Sequence, residues 1–292
     1  MERINPFSDF GFKLIFGQET SKPVLIGFLN SLLEGEREIV DLTYLNLEQL
    51  PELPDGRRSI YDVYCTTTDG ERIIVEMQYK AQDNFKERSL YYLSQAVANQ
   101  GKRGKDWQFE LDAVYGVFFM NFRLSTTSQF RTDVILANRD TGELFCDKLR
   151  QVFLELPQFT KSENECVTNV DRWIYTLKHM ETLKLIPFQT YIAAFEQLDK
   201  ITNLASLNEE DRARYDESLK VYRDNMAVMA YAKKEARKEG LEEGREEGLE
   251  QGLEQGEKKA TLSIARSLKS RGMDISSIAD VTGLSPEQIG AL

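Results

Sequence analysis

Apolar positions along this chain recur at two periods, and the change of period divides it. Ser8 and Asp9 stand before the run 10–16, rich in Phe, Leu and Ile, and a short side-chain oxygen there suits a helix start. A second helix is predicted over 23–33, with Pro23 in its first turn, where a missing N–H removes no intrahelical bond. Residues 38–47 alternate and predict a strand, and Pro51, Pro54 and Asp55-Gly56 mark a loop. Two more strands are predicted, over 59–67 and 72–79, joined across Thr68-Asp69-Gly70. Residues 84–101 return to helical spacing, with Leu90, Leu93 and Val97 on one stripe. The short apolar run 114–122 predicts a buried strand, and 130–137 and 151–156 predict two more around the turn Asp140-Thr141-Gly142.

From about Val167 the pattern turns helical. Val170, Trp173, Ile174, Leu177 and Met180 share a face, Pro187 opens a predicted helix to Leu198, and a long polar helix starts near Asn208. Gly240, Gly244, Gly248, Gly252 and Gly256 then recur every four residues in a Glu-rich repeat. Each glycine weakens a helix interior by about 1 kcal/mol relative to alanine. The simplest reading is a solvated, partly frayed helix or linker, and the sharper one is a self-association stalk. Beyond it, 261–270, 275–281 and 285–292 predict three small helices, the last opened by the capping box Ser285-Pro286-Glu287-Gln288. This end has helix-turn-helix flavour, but its final helix carries no Lys or Arg, so a packing or docking module fits better than a major-groove reader.

Composition removes several functions. The 292 residues are 41% hydrophobic and 29% charged, as in ordinary globular chains. With a net charge of -11, the overall field does not hold nucleic acid, so any such contact needs a local basic patch. His179 is the only histidine, which excludes His-rich zinc sites, and there is no GxSxG. Cys65, Cys146 and Cys166 are far apart and form no CxxC, so a reducing, cytoplasmic setting is expected. Residues 1–16 lack the apolar core of a signal peptide, and no apolar run reaches bilayer-spanning length, so no membrane role is expected.

The segment 59–78 carries the candidate chemistry. With Thr68 and Asp69 in a type I turn and Gly70 left-handed, the loop is a three-residue hairpin with a bulge. Tyr64 then faces Ile74, Asp62 faces Glu76, and Ile60 faces Gln78. Tyr61, Val63, Cys65, Ile73, Val75 and Met77 point to one side as core, and Asp62, Glu76 and Gln78 to the other. A two-residue loop would split the acids across the sheet and spoil the apolar face. Facing carboxylates lie about 5 Å apart at Cβ and repel. They either share a proton, hold a divalent cation, or are ordinary surface acids. The clean sorting of faces favours the cation, and oxygen ligands completed by water and phosphate are what Mg²⁺ prefers.

Asp62 followed by Glu76-x-Gln78 on the next strand resembles the PD-(D/E)XK nuclease signature in its glutamine variant. The surrounding pieces resemble the Rpn-type recombination-promoting nucleases: Ser8-Asp9-Phe10-Gly11-Phe12-Lys13 with Phe16-Gly17, Arg88-Ser89-Leu90-Tyr91-Tyr92, and the glycine-punctuated acidic tail. The resemblance implies an α/β fold with an αβββαβ core, a mixed central sheet flanked by helices, and an all-helical C-terminal extension. It implies a Mg²⁺- (or Mn²⁺-) dependent DNA endonuclease linked to recombination or mobile elements. Asp62 and Glu76 would ligate metal with the Met77 carbonyl, and Gln78 would stand where most such enzymes carry lysine. Glutamine orients water by hydrogen bonds but brings no charge.

Lys80 is a candidate cation near Gln78 or a solvated strand-end lysine. Lys86, Arg88, Lys102, Arg103 and Lys105 form the best local basic patch and are candidate DNA-backbone contacts, or else a solvated helix end. Asp9 and Lys13 are expected near the site or as a helix cap. The organisation expected is a nuclease-like core over 1–160, a helical extension over 161–231, the Gly/Glu-rich segment over 232–259 and a small helical module over 260–292. The competing reading is a catalytically silent nuclease fold that acts as an oligomerisation or interaction module through its helical tail.

Overall fold

A computed structural model describes residues 2–45, 61–102, 107–124 and 128–292. Two compact units are present, Met1–Met226 and Ala227–Leu292. The first is built on a six-stranded mixed sheet in the order β1-β2-β3-β4-β6-β5. Its strands are β1 (Leu42–Tyr44), β2 (Val63–Thr67), β3 (Arg72–Gln78), β4 (Val114–Met120), β5 (Arg131–Ala137) and β6 (Leu144–Glu155). β1, β2 and β3 form an antiparallel meander. β4 runs parallel to both β3 and β6, and β5 closes the edge antiparallel to β6. This is the mixed, helix-flanked α/β sheet that the family resemblance implied.

The expected register holds in the β2–β3 hairpin. Tyr64 pairs with Ile74, Cys65 with Ile73 and Thr66 with Arg72. Gly70 has φ 88°, and the loop closes with Gly70 N–H on the Thr67 carbonyl and Thr67 N–H on that of Glu71. The left-handed residue of a three-residue loop is thus a glycine, which adopts that conformation without Cβ strain.

Helices cover both faces of the sheet. On one face lie α1 (Asp9–Phe16), α2 (Lys22–Leu32), α4 (Asn169–His179) and α5 (Ala194–Ile201). Their buried Phe12, Phe16, Phe28 and Trp173 pack with Val63, Val75, Met77 and Phe119 from the strands. The other face carries α3 (Phe85–Ala98), whose Phe85, Leu93 and Ala96 pack with Ile74, Phe118 and Phe153. Because both faces are buried, β4 reads as an unbroken apolar run rather than alternating. Ser8 caps α1 by accepting from Gly11 N–H, and Thr168 and Asp171 form a reciprocal box at the start of α4.

Several expected boundaries differ. The strand expected over 38–47 is reduced to β1, with 46–47 outside the described residues. The loop around Pro51, Pro54 and Asp55-Gly56, and Ser59 and Ile60, also lie outside them. The stripe expected on α3 is rotated: it buries Phe85, Ser89, Leu93 and Ala96, and leaves Leu90 47% exposed. Tyr61 joins Tyr64 and Ile74 on the α3 side, not Val63 and Cys65, because β2 begins only at Val63 and the chain bends at Asp62. The last strand starts at Leu144, well before the expected Gln151. The helix expected from Pro187 starts at Ala194, since Phe188 has φ 67° and breaks the helical path.

The polar helix expected near Asn208 is α6 (Glu209–Ser270), and it takes in the glycine repeat and the segment 261–270. None of Gly240, Gly244, Gly248, Gly252 or Gly256 has an atom within 4 Å of where a Cβ would stand. In the second unit, α7 (Ile275–Thr282) and α8 (Pro286–Gly290) join the end of α6 in a small cluster around Ala265, Ile278 and Ile289. The Lys269 ammonium donates to the Ile289 and Gly290 carbonyls at the end of α8. No helix among the described residues is long and apolar enough to cross a membrane.

Candidate active site

The candidate acids meet where β3 ends beneath α3. Asp62 stands one residue before β2, a step beyond the Val63–Val75 pair, and its Oδ2 accepts the Met77 N–H at 2.7 Å. A carboxylate bound this way has a fixed position relative to β3. Glu76 follows Ile74 on the α3 side of the strand, and it is only 5% exposed. Its Oε1 accepts from the Arg88 guanidinium at 2.8 Å, and its Oε2 is buried with no hydrogen-bond partner among the described residues.

Electrostatics follow from that enclosure. Burial raises the Glu76 carboxyl to about 7, opposed by Arg88 and reinforced by the nearby Asp62 charge. Burial also raises Asp62, opposed by the Met77 N–H and by the Lys13 ammonium. Asp62 and Glu76 are thus close enough to feel each other's charge, and burial keeps both from water. A buried acid with one unmatched oxygen beside a second, fixed acid presents hard oxygen donors. That chemistry suits a divalent cation that keeps several of its waters. No cluster of three or more His, Cys, Asp or Glu positioned for a metal is present among the described residues, so water or substrate must complete any such shell.

Arg88 is the residue whose place the sequence pattern missed. Its guanidinium also donates to Gln78 Oε1 at 2.7 Å and to Gln82 Oε1 at 2.6 Å, and it lies over the rings of Phe85 and Tyr92. It therefore sits within the acidic site, and not on the outward basic patch where it was grouped with Lys86. The signal was helical spacing: Phe85, Arg88 and Tyr92 fall three and four residues apart along the face of α3 turned to the sheet. Gln78 uses both ends of its amide, accepting from Arg88 and donating to the Lys80 carbonyl at 3.0 Å.

The remaining candidates scatter. Lys80 lies past the end of β3, exposed, and meets Gln78 through its carbonyl rather than its ammonium. Lys86 and Lys102 are exposed, and Arg103 and Lys105 lie outside the described residues. Asp9 and Lys13 form an i,i+4 ion pair at 2.8 Å on α1, and both charges reach Asp62. His179, at the end of α4, lies tilted against the Tyr175 ring with centroids 4.6 Å apart.

No curated protein and no solved structure matches the chain. The sequence model of one family, described as PD-(D/E)XK nuclease family transposase, matches residues 6–232 and so spans the sheet, the acidic site and the start of α6. With its mixed sheet and its Asp62, Glu76-x-Gln78 arrangement, this chain belongs to the PD-(D/E)XK nuclease family transposases.

Proposed function

We propose that the protein is a Mg²⁺- or Mn²⁺-dependent DNA endonuclease serving recombination or a mobile element. The buried, unmatched Oε2 of Glu76 beside Asp62 carries this reading. An acid kept out of water with one oxygen unused is poorly placed for stability and well placed for a cation. Asp62, Glu76 and the Met77 carbonyl would hold the ion. When bound, such an ion lowers the pKa of a coordinated water and neutralises charge on the phosphate.

The chain's own residues account for the rest. The Met77 N–H fixes the Asp62 carboxylate. Gln78 is held by Arg88 and the Lys80 carbonyl, so its amide orients neighbours without bringing charge. Arg88, bonded to Glu76, Gln78 and Gln82, supplies the positive charge at that point and would offset charge on a phosphodiester held by the acids. Lys86 and Lys102, with Arg103 and Lys105 nearby in sequence, would meet the DNA backbone. The experiment is plasmid nicking at low salt, with Mg²⁺ or EDTA, on wild type, Asp62→Ala and Glu76→Ala. Nicking that needs Mg²⁺ and both acids supports the reading, and nicking unchanged in Asp62→Ala refutes it.

The exposed Leu241, Leu249 and Leu253 of α6 favour a second reading, an interaction module that self-associates through the tail. Metal binding without nicking, together with a concentration-dependent mass, would favour it.

A further inference from the structure

A groove of about 440 Å³ opens between α1, the residue after β3 and the first turns of α6. Its walls are aromatic. Tyr79 and Tyr222 meet edge to face with centroids 5.6 Å apart, and Phe10 lies beneath the Arg214 guanidinium at 5.8 Å. Its charges cancel: Lys13 is paired with Asp9, and Arg214 shares the groove with Glu217. A groove with two acids for two bases does not select a bare phosphate. It suits a flat, neutral, polar ring that stacks on aromatic side chains and exchanges hydrogen bonds with carboxylates.

The groove lies on the α1 side of β3, where Tyr79 packs, opposite the α3 side that holds Glu76, and it approaches the acidic site through Asp62. Asp9 and Lys13, ion-paired at 2.8 Å, line the groove, and both charges reach Asp62. A strand with a phosphodiester against Asp62 would therefore bring a neighbouring base toward the Asp9–Lys13 end of the groove. A base inside a duplex is stacked and paired, so only an unpaired one enters such a recess.

We propose that the groove lined by Phe10, Tyr79, Arg214 and Tyr222 binds one unpaired nucleobase of the substrate strand, which makes DNA with single-stranded nucleotides beside the scissile phosphate the preferred substrate. This rests on the nuclease reading above. The test is equilibrium binding by fluorescence anisotropy in EDTA with the full chain. The probes are a single-stranded oligonucleotide, one of equal length with abasic sugars throughout, and a blunt hairpin. Wild type is expected to bind the normal strand roughly 5- to 100-fold more tightly than the abasic one. Val221→Trp fills the groove from an exposed lining position and is expected to remove that difference while thermal unfolding is unchanged. Tyr222→Ala should do the same by removing a wall. Equal affinity for normal and abasic strands, or a preference that survives Val221→Trp, overturns the proposal. If Mg²⁺-dependent nicking persists in that case, the groove assignment alone fails. If base-dependent binding holds and no DNA is cut under any condition, the nuclease reading fails and the groove remains a base-binding site.

Discussion

Replacing Glu76 by glutamine is expected to make the metal-free protein more stable at high pH. The native carboxyl, raised to about 7 by burial, has an ordinary value of 4.5. Between those values the unfolded chain has released its proton and the native chain keeps it. The native state then binds more protons, and stability falls as pH rises. The penalty is absent below about 4.5 and complete above about 7, where it amounts to about 3 kcal/mol. Glutamine keeps the oxygen that accepts from Arg88 and carries no charge to bury. Urea melts at pH 5 and pH 8 without metal isolate the effect, because any packing change appears at both. The variant should gain about 3 kcal/mol on wild type between the two pH values, or about 6–12 °C in Tm for a unit of this size. Mg²⁺ in 100-fold excess over its Kd should return about 2.7 kcal/mol to wild type and nothing to the variant. A Glu76→Gln protein showing no pH-dependent gain would refute the claim that this acid is held charged against its surroundings.

Other substitutions follow from the same geometry. Arg88→Met should weaken the fold by about 1–3 kcal/mol at pH 8 and little at pH 5, where Glu76 is protonated and needs no counter-charge; paired urea melts check it. At Mg²⁺ below saturation, nicking should rise with pH between 5 and 8 because the cation competes with the proton on Glu76, and a flat profile there would contradict this. Gly27→Ala places a Cβ 2.5 Å from that of Ala194, where α2 meets α5, and should cost about 1–3 kcal/mol in thermal denaturation. Gly244→Ala and Gly248→Ala meet nothing and should each steady α6 by about 1 kcal/mol, read as slower amide exchange in that stretch.

The β2–β3 hairpin was legible because one glycine, one alternation and one loop length jointly determine a register. Gly70 had to be left-handed, and the apolar face of Val63, Cys65, Val75 and Met77 tolerated no slip. The helix caps at Ser8 and Ser285 were equally local. What local pattern did not carry was which surface α3 would bury. Both sheet faces are covered, so the side holding Glu76 is a second core and not open solvent. That turns α3, exposes Leu90, and moves Tyr61 across the sheet. It also draws Arg88 inward, a contact 12 residues from Glu76 that no spacing rule within one element contains.

Under the proposed function, the enclosure explains how an acidic site could receive DNA in a chain of net charge -11. Asp62 and Glu76 together carry two negative charges when ionised, and Arg88 offsets one. At neutral pH the metal-free site settles the remainder by leaving Glu76 partly protonated, since its carboxyl stands at about 7. If the proposed divalent cation is bound by Asp62 and Glu76, its two positive charges would favour the ionised Glu76 and leave the cluster net positive by one, the sign that suits a phosphodiester. Gln78 fits this balance. With Arg88 already bonded to both Glu76 and Gln78, a lysine at that position would set a second cation against the first. On this argument Gln78→Lys should displace Arg88 from Glu76 and weaken Mg²⁺ binding, and calorimetry showing equal or tighter binding in the variant would sink it.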